Sequence, residues 1–377
     1  MQDPVHVDEV TGGRGPLARE FVDFPHRLFQ DSTQWVPLFR REVRAALDRR
    51  GPFFEAAAAA YFVARRGRET IGTIAAFDNS RYNAYHGTRR GHFHFFDCRD
   101  DPEAATALFD AAFAWLGGRG LESVRGPVGF GMMGTGILVE GFEHRAAMTM
   151  MPWNPPRYQG HLEAAGFVKY KDMYSAYLDA RTFQLPDKVR RVAEIALKRG
   201  AFSVPDVRTK QELRERAGGI GRVYNESFAS HGDDFVPMTD AELAGMVDDL
   251  ASFADPSLIK LLFRGEELAG FVLGFPDLSA ALRRSRGRLT PWAALDIAVE
   301  YRRTDGLIVN GAGIAPKYQR LGGNALLYLM LERVNARRRF RGVDLVQIAE
   351  STGPMLADLR TLGARVHKVH RVYERAI

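Results

Sequence analysis

Residues Gly306 to Phe340 read GLIVNGAGIAPKYQRLGGNALLYLMLERVNARRRF. Leu307, Ile308, Val309 and Ile314 predict an apolar strand, thinned by Gly311 and Gly313. Glycine inside a strand marks a bulge or a close approach to the backbone. Leu326, Leu327, Met330, Leu331 and Val334 share one face at helical spacing, which predicts a long helix beginning near Gly322. The turn between them spans Ala315 to Leu321. The first turn of a helix carries unpaired N–H groups and a partial positive charge, a setting that suits a pyrophosphate. Gly322 and Gly323 remove side chains that would keep a ligand from those amides. Lys317 and Arg320 add positive charge, and no carboxylate follows until Glu332. An ordinary strand–helix turn with a basic surface accounts for the same residues. If the turn is an anion site, a glutamate at Gly322 is expected to block it and leave the fold intact.

The run Ile314-x-Pro316-x-Tyr318-Gln319-x-x-Gly322-x-Asn324 resembles the acyl-CoA-binding signature of GNAT-fold acyltransferases. That signature is Arg/Gln-x-x-Gly-x-Gly/Ala after an apolar strand and x-Pro-x-Tyr. Asn324 departs from it, with Ala325 one place later. The resemblance implies that the amides of Gln319, Arg320, Leu321, Gly322, Gly323, Asn324 and Ala325 grip the pyrophosphate of acetyl-CoA or a longer acyl-CoA. It also implies that the strand end at Gly313, Ile314 and Ala315 holds the pantetheine.

A chain of 377 residues has room for two or three domains. The formal charge of +6 and the pI of about 9.4 favour anionic partners without choosing among CoA, carrier protein, lipid headgroup and nucleic acid. Cys98 is the one cysteine, which excludes an internal disulfide and a cysteine metal cluster. His92 and His94 fall on one strand face while Asp97 points away, so no metal site is expected. No recognised nucleic-acid-binding fold accompanies the charge. The N-terminus lacks the apolar core of a signal peptide, and the run Ala56–Ala64 is too short to span a bilayer. A cytoplasmic protein is expected, with a peripheral place at the inner membrane as its variant. The glycine-rich segment Gly129–Gly136 reads as a loop over a site, and it lacks the basic residue and helix start of a phosphate loop.

The second half repeats the first. Arg66–Phe77 lines up with Arg264–Phe275, and the helix stop Leu162–Gly166 with Leu359–Gly363, at nearly the same spacing. Two matches at one offset predict a duplicated α+β domain with a mixed sheet, 1–182 and 183–377. The counterpart of the phosphate turn in the first copy is Asp97-Cys98-Arg99-Asp100-Asp101-Pro102-Glu103. Acids at a helix start suit its dipole and repel a pyrophosphate. Acyl-CoA is therefore expected in the second copy alone, with the first copy building a wall of the acceptor cleft between the domains.

The segments FVDFPHRLF, WVPLFRREV, MPWNPPRYQGHLEAAGFVKYKDMYSAY, DDFVPMT and VHKVHRVYER extend the resemblance over most of the chain. Together they resemble a bacterial family of tandem GNAT-fold proteins, with a link to N-acyltransferases of the bacterial ceramide-synthase sort. Acyl transfer to an amine needs a base for the nitrogen and a proton for the leaving thiolate. Glu350, at the end of the strand Val343–Ala349, is the candidate base; leaving the sheet to cap the next helix is its other reading. GNAT enzymes often carry a tyrosine in that helix, and Pro354–Leu362 has none. Tyr373 on the last strand and Tyr328 on the motif helix are the substitutes. Leu289–Tyr301 reads as a helix flanked by arginines, buried in the protein or resting on an acyl chain or membrane. Three functions follow: an acyl-CoA N-acyltransferase acting on a primary amine, either a small molecule or a lipid, a long-chain acyltransferase on an aminolipid or sphingoid base fed by CoA or an acyl carrier protein, and a non-catalytic acyl-CoA binder.

Overall fold

The computed structural model describes residues 3–129, 134–144, 151–200, 202–229, 232, 235–253, 255–338 and 340–377. Part of the glycine-rich segment (130–133), Met148–Met150 and Arg339 lie outside them, as does the side chain of Arg338. The first part of the chain forms β1 (Val5–Glu9), α1 (Pro16–Leu28), α2 (Arg40–Leu47), β2 (Ala57–Arg66), β3 (Glu69–Asn79) and α3 (Ser80–His86). It continues as β4 (Arg90–Cys98), α4 (Pro102–Gly117), β5 (Ser123–Gly126), β6 (Ile137–Glu140), α5 (Arg157–Ala164) and β7 (Val168–Asp179). Then come α6 (Asp187–Lys198), α7 (Lys210–Glu215), α8 (Ala217–Phe228), α9 (Asp240–Phe253), β8 (Ile259–Arg264), β9 (Glu267–Pro276) and α10 (Ser279–Ser285). The last elements are α11 (Pro291–Arg303), β10 (Gly306–Ile314), α12 (Gly323–Arg338), β11 (Gly342–Ala349), α13 (Gly353–Leu362) and β12 (Arg365–Ala376).

Two compact units result. One comprises Met1–Tyr174, Leu278–Glu300 and His367–Ile377; the other comprises Ser175–Asp277 and Tyr301–Val366. This grouping differs from a single cut near residue 182 because distant segments return to the first unit. The end of the chain pairs there with β5 (Tyr373 opposite Gly126) and β6 (Val369 opposite Glu140). The α10–α11 turn returns as well, where Gly287 accepts the Arg40 N–H at 2.9 Å.

In the first unit the strands run β1-β2-β3-β4-β5-β12, antiparallel except for the parallel pair β4–β5. Helix α4 packs on this sheet through Ala104, Ala105, Leu108, Phe109 and Ala112. In the second unit the order is β11-β10-β9-β8, with the parallel pair β10–β11. Leu326, Leu327 and Leu329 of α12 fill its core with Leu262, Val272 and Ile314.

The repeat seen in sequence recurs in backbone detail. The β2–β3 and β8–β9 hairpins turn on Gly67 and Gly265, both at φ +60°. Each hairpin carries a register shift at the corresponding step, Ala64/Arg65 and Leu262/Phe263. The helix stops Gly166 and Gly363 take φ +82° and +73°, as a left-handed cap requires. Strands β4 and β10 each bulge against their hairpin neighbour, between the partners of Thr73 and Ala75 and between Val309 and Ala312.

Candidate functional site

The parallel pairing of β10 with β11 covers only Gly306–Val309 and Gly342–Leu345. Both strands run on, to Ile314 and Ala349, without it. The bulge at Asn310–Gly311, with Gly311 at φ +102°, redirects β10 while its far edge stays paired to β9. β11 turns away at Gln347, φ +56°, whose N–H donates to the Ser175 hydroxyl at 3.2 Å. The result is a wedge between two parallel strands, with Ile314 and Glu350 at the same, carboxyl end.

The motif turn closes that end. Pro316–Tyr318 form one 3-10 turn, and the Gln319 side-chain amide donates to the Ile314 carbonyl at 3.0 Å. Gln319 thus braces the turn with its side chain. Arg320 (φ +61°) and Gly322 (φ +89°) then swing the chain into α12. The first bond of the helical ladder runs from Leu326 N–H to the Gly322 carbonyl at 3.2 Å. The amides of Gly322, Gly323, Asn324 and Ala325 precede it and have no acceptor among the described residues. Such a row, at the positive end of a 16-residue helix, has the electrostatics that suit an anion.

Long-range contacts revise three readings. The two glycines are fixed by packing. A Cβ on Gly322 would stand 3.2 Å from Val192 Cγ1 of α6, and one on Gly323 would stand 2.7 Å from Leu262 Cδ2. A glutamate at Gly322 therefore cannot leave the fold untouched, since φ +89° also strains any side chain there. Lys317 is not a free cation: its ammonium lies 2.7 Å from Glu267, which also accepts the Tyr318 hydroxyl at 2.5 Å and Arg222 at 2.9 Å. The Lys317 and Tyr318 bonds hold the Glu267 carboxyl down at about 2. Arg320 is left as the exposed cation of the turn. A carboxylate does come near, from α13: Asp358 accepts the Asn324 side chain at 3.2 Å and the Tyr328 hydroxyl at 2.7 Å. That pairing turns Asn324 toward α13. Burial and Asp358 push the Tyr328 hydroxyl well above its ordinary range.

Glu350 follows β11 directly and is half-buried. Thr352 precedes α13 as its cap residue without a side-chain cap bond, and the helix carries no tyrosine. Tyr373 belongs to the other compact unit. Its ring is buried in that unit's core with Phe93, Tyr158 and Phe167, and burial raises its hydroxyl pKa. The two candidate catalytic side chains are thus not gathered within one unit.

In the first unit the start of the corresponding helix is taken up by its own acids. Asp101 caps α4, its carboxylate accepting the Ala104 N–H at 3.1 Å, and Arg66 bonds both Asp101 and Glu103 at 2.9 Å. Asp97 is half-buried, accepts the Tyr158 hydroxyl at 3.3 Å, and is pushed up to about 7 by desolvation. His92 stacks on Phe77 within the sheet and His94 is half-buried; desolvation lowers them to about 3 and about 4.

Comparison with solved structures decides what this architecture is. A "Tandem GNAT protein from the clavulanic acid biosynthesis pathway" superposes with TM-score 0.56 over 98% of both chains, at 12% identity. The chain has the tandem GNAT fold. No family model matches it. Among curated proteins it is 26% identical to "Protein YghO" of Escherichia coli K12, over 95% of this chain and 93% of that one. It is 27% identical to "Bacterial ceramide synthase" of Caulobacter vibrioides, over 95% and 94%. In the tandem GNAT frame, the wedge and the α12 turn occupy the second copy.

Proposed function

We infer that this protein is an N-acyltransferase that takes its acyl group from acyl-CoA, held in the second copy. The observation that carries the reading is the row of open amides, Gly322 to Ala325, at the mouth of the β10–β11 wedge. The diphosphate lies against those amides with Arg320 beside it, and the pantetheine enters the wedge along β10. Gln319 and Leu321 complete the turn, Gln319 by tying it to Ile314. The halves 1–182 and 183–377 are in this reading duplicates, the first having lost its nucleotide site to Asp101 and Glu103.

The reaction follows from the same residues. The amine reaches the thioester as a neutral nitrogen after Glu350 takes a proton, directly or through water. The nitrogen attacks the thioester carbon, and the oxyanion is met by β10 backbone N–H groups beyond Val309. The C–S bond breaks, the amide forms, and the proton from nitrogen ends on the CoA sulfur. The donor side of this reading is generic. For the acceptor we propose a long-chain amine of the sphingoid or aminolipid class, supported by the full-length likeness to a protein named as a bacterial ceramide synthase.

Purified protein mixed with acyl-CoAs of graded length and a panel of short and long-chain amines tests both parts. The expected result is free CoA thiol together with the matching amide by mass spectrometry, fastest with a long-chain amine. Tight CoA binding with no turnover on any amine would instead make the protein a non-catalytic acyl-CoA binder.

A further inference from the structure

Helix α11 does not bury its apolar side. Trp292 is 80% exposed, Leu295 56% and Val299 37%, and Leu289 just before the helix is 46% exposed. Spacings of three and four residues place Trp292, Leu295 and Val299 on one face, with Ala298 beside them. The inward side is held by Ala293 and by a clamp: Arg284 binds Asp296 at 2.8 Å and Glu300 at 2.6 Å. Both acids of the helix are thereby paired with a cation. Arg302 and Arg303 extend that face in the last turn, and Arg286 and Arg288 stand exposed before the first. None of these four arginines has a carboxylate partner among the described residues.

An exposed tryptophan among aliphatic side chains, flanked by arginines at both ends of the helix and with the nearby acids Asp296 and Glu300 paired to Arg284, matches the chemistry of a bilayer surface. The indole and aliphatic groups favour the headgroup–acyl boundary, and arginines favour anionic headgroups. Here charge complementarity selects the occupant, since a neutral apolar partner would leave the arginines unanswered. We propose that the outer face of α11 seats the protein on an anionic lipid bilayer, with Trp292, Leu295 and Val299 at the boundary and the four arginines against headgroup phosphates. The proposal goes beyond the acyl-transfer reading and stands whichever amine is acylated.

Flotation with phosphatidylcholine vesicles, with and without phosphatidylglycerol, tests it in the full chain. The protein is expected to float with the anionic vesicles only and to be released by salt. Trp292→Ser with Leu295→Ser should weaken vesicle binding about tenfold or more. Arg302→Gln and Arg303→Gln should each weaken it about fivefold. Far-UV circular dichroism and CoA affinity serve as fold controls, because neither should move. Absence of anionic-vesicle binding, or equal binding by the Trp292/Leu295 variant, would overturn the proposal. So would a lipid-free dimer, or a complex with an acidic carrier protein, that the same variant dissolves while vesicles are ignored.

Discussion

At Leu321 the role of the α12 turn can be separated from its packing. The side chain is 46% exposed, so a carboxylate there meets the ligand and not the core. Leu321→Glu is expected to raise the CoA Kd about tenfold or more by calorimetry, with Tm essentially unchanged; a repulsion of about 1.4 kcal/mol suffices. Glu350→Gln should lower kcat by about a hundredfold while CoA affinity stays put, the signature of a lost general base. Asp97 gives a test of the first unit. Its folded pKa is raised, so the folded protein holds a proton that the unfolded chain has lost. Its contribution to stability is therefore present below the ordinary carboxyl range and declines as pH rises toward about 7. Urea denaturation should show Asp97→Asn gaining on the parent protein from pH 4 to pH 7.

Single elements show what could be read from the sequence and what could not. The β10 strand, its glycine bulge and the α12 helix were legible because each is written in local periodicity over a few turns. Partners brought by other elements were not. Nothing in the residues around Asn324 announces Asp358 from α13, and nothing beside Lys317 announces Glu267 from β9. The glycines carry a second reason that local sequence could not show, since the approach of α6 and β8 is a tertiary fact that a missing side chain records without naming. Helix α11 could be read either as a buried element or as one resting on an acyl chain or membrane, and its mixed apolar and charged pattern could not say which side faces water. The α4 cap was plain from Asp101-Pro102. Asp101→Ala should cost about 1 kcal/mol of stability in denaturant unfolding, the usual worth of a side-chain cap.

On the scale of the whole molecule, the chain has a tandem fold in which, among the described residues, α4 is capped by Asp101 while the first amides of its counterpart α12 have no acceptor. The duplication was visible in sequence as an offset, and the structure repeats it down to matching register shifts. The compact units were harder to foresee, because strand exchange by the end of the chain depends on pairing that sequence spacing does not encode. The asymmetry between copies is the central claim. Calorimetric titration with coenzyme A measures it directly. The account predicts one molecule bound per chain, with that binding weakened by Leu321→Glu and unaffected by Asp101→Ala. Two bound molecules, or one whose affinity ignores Leu321→Glu, would contradict it.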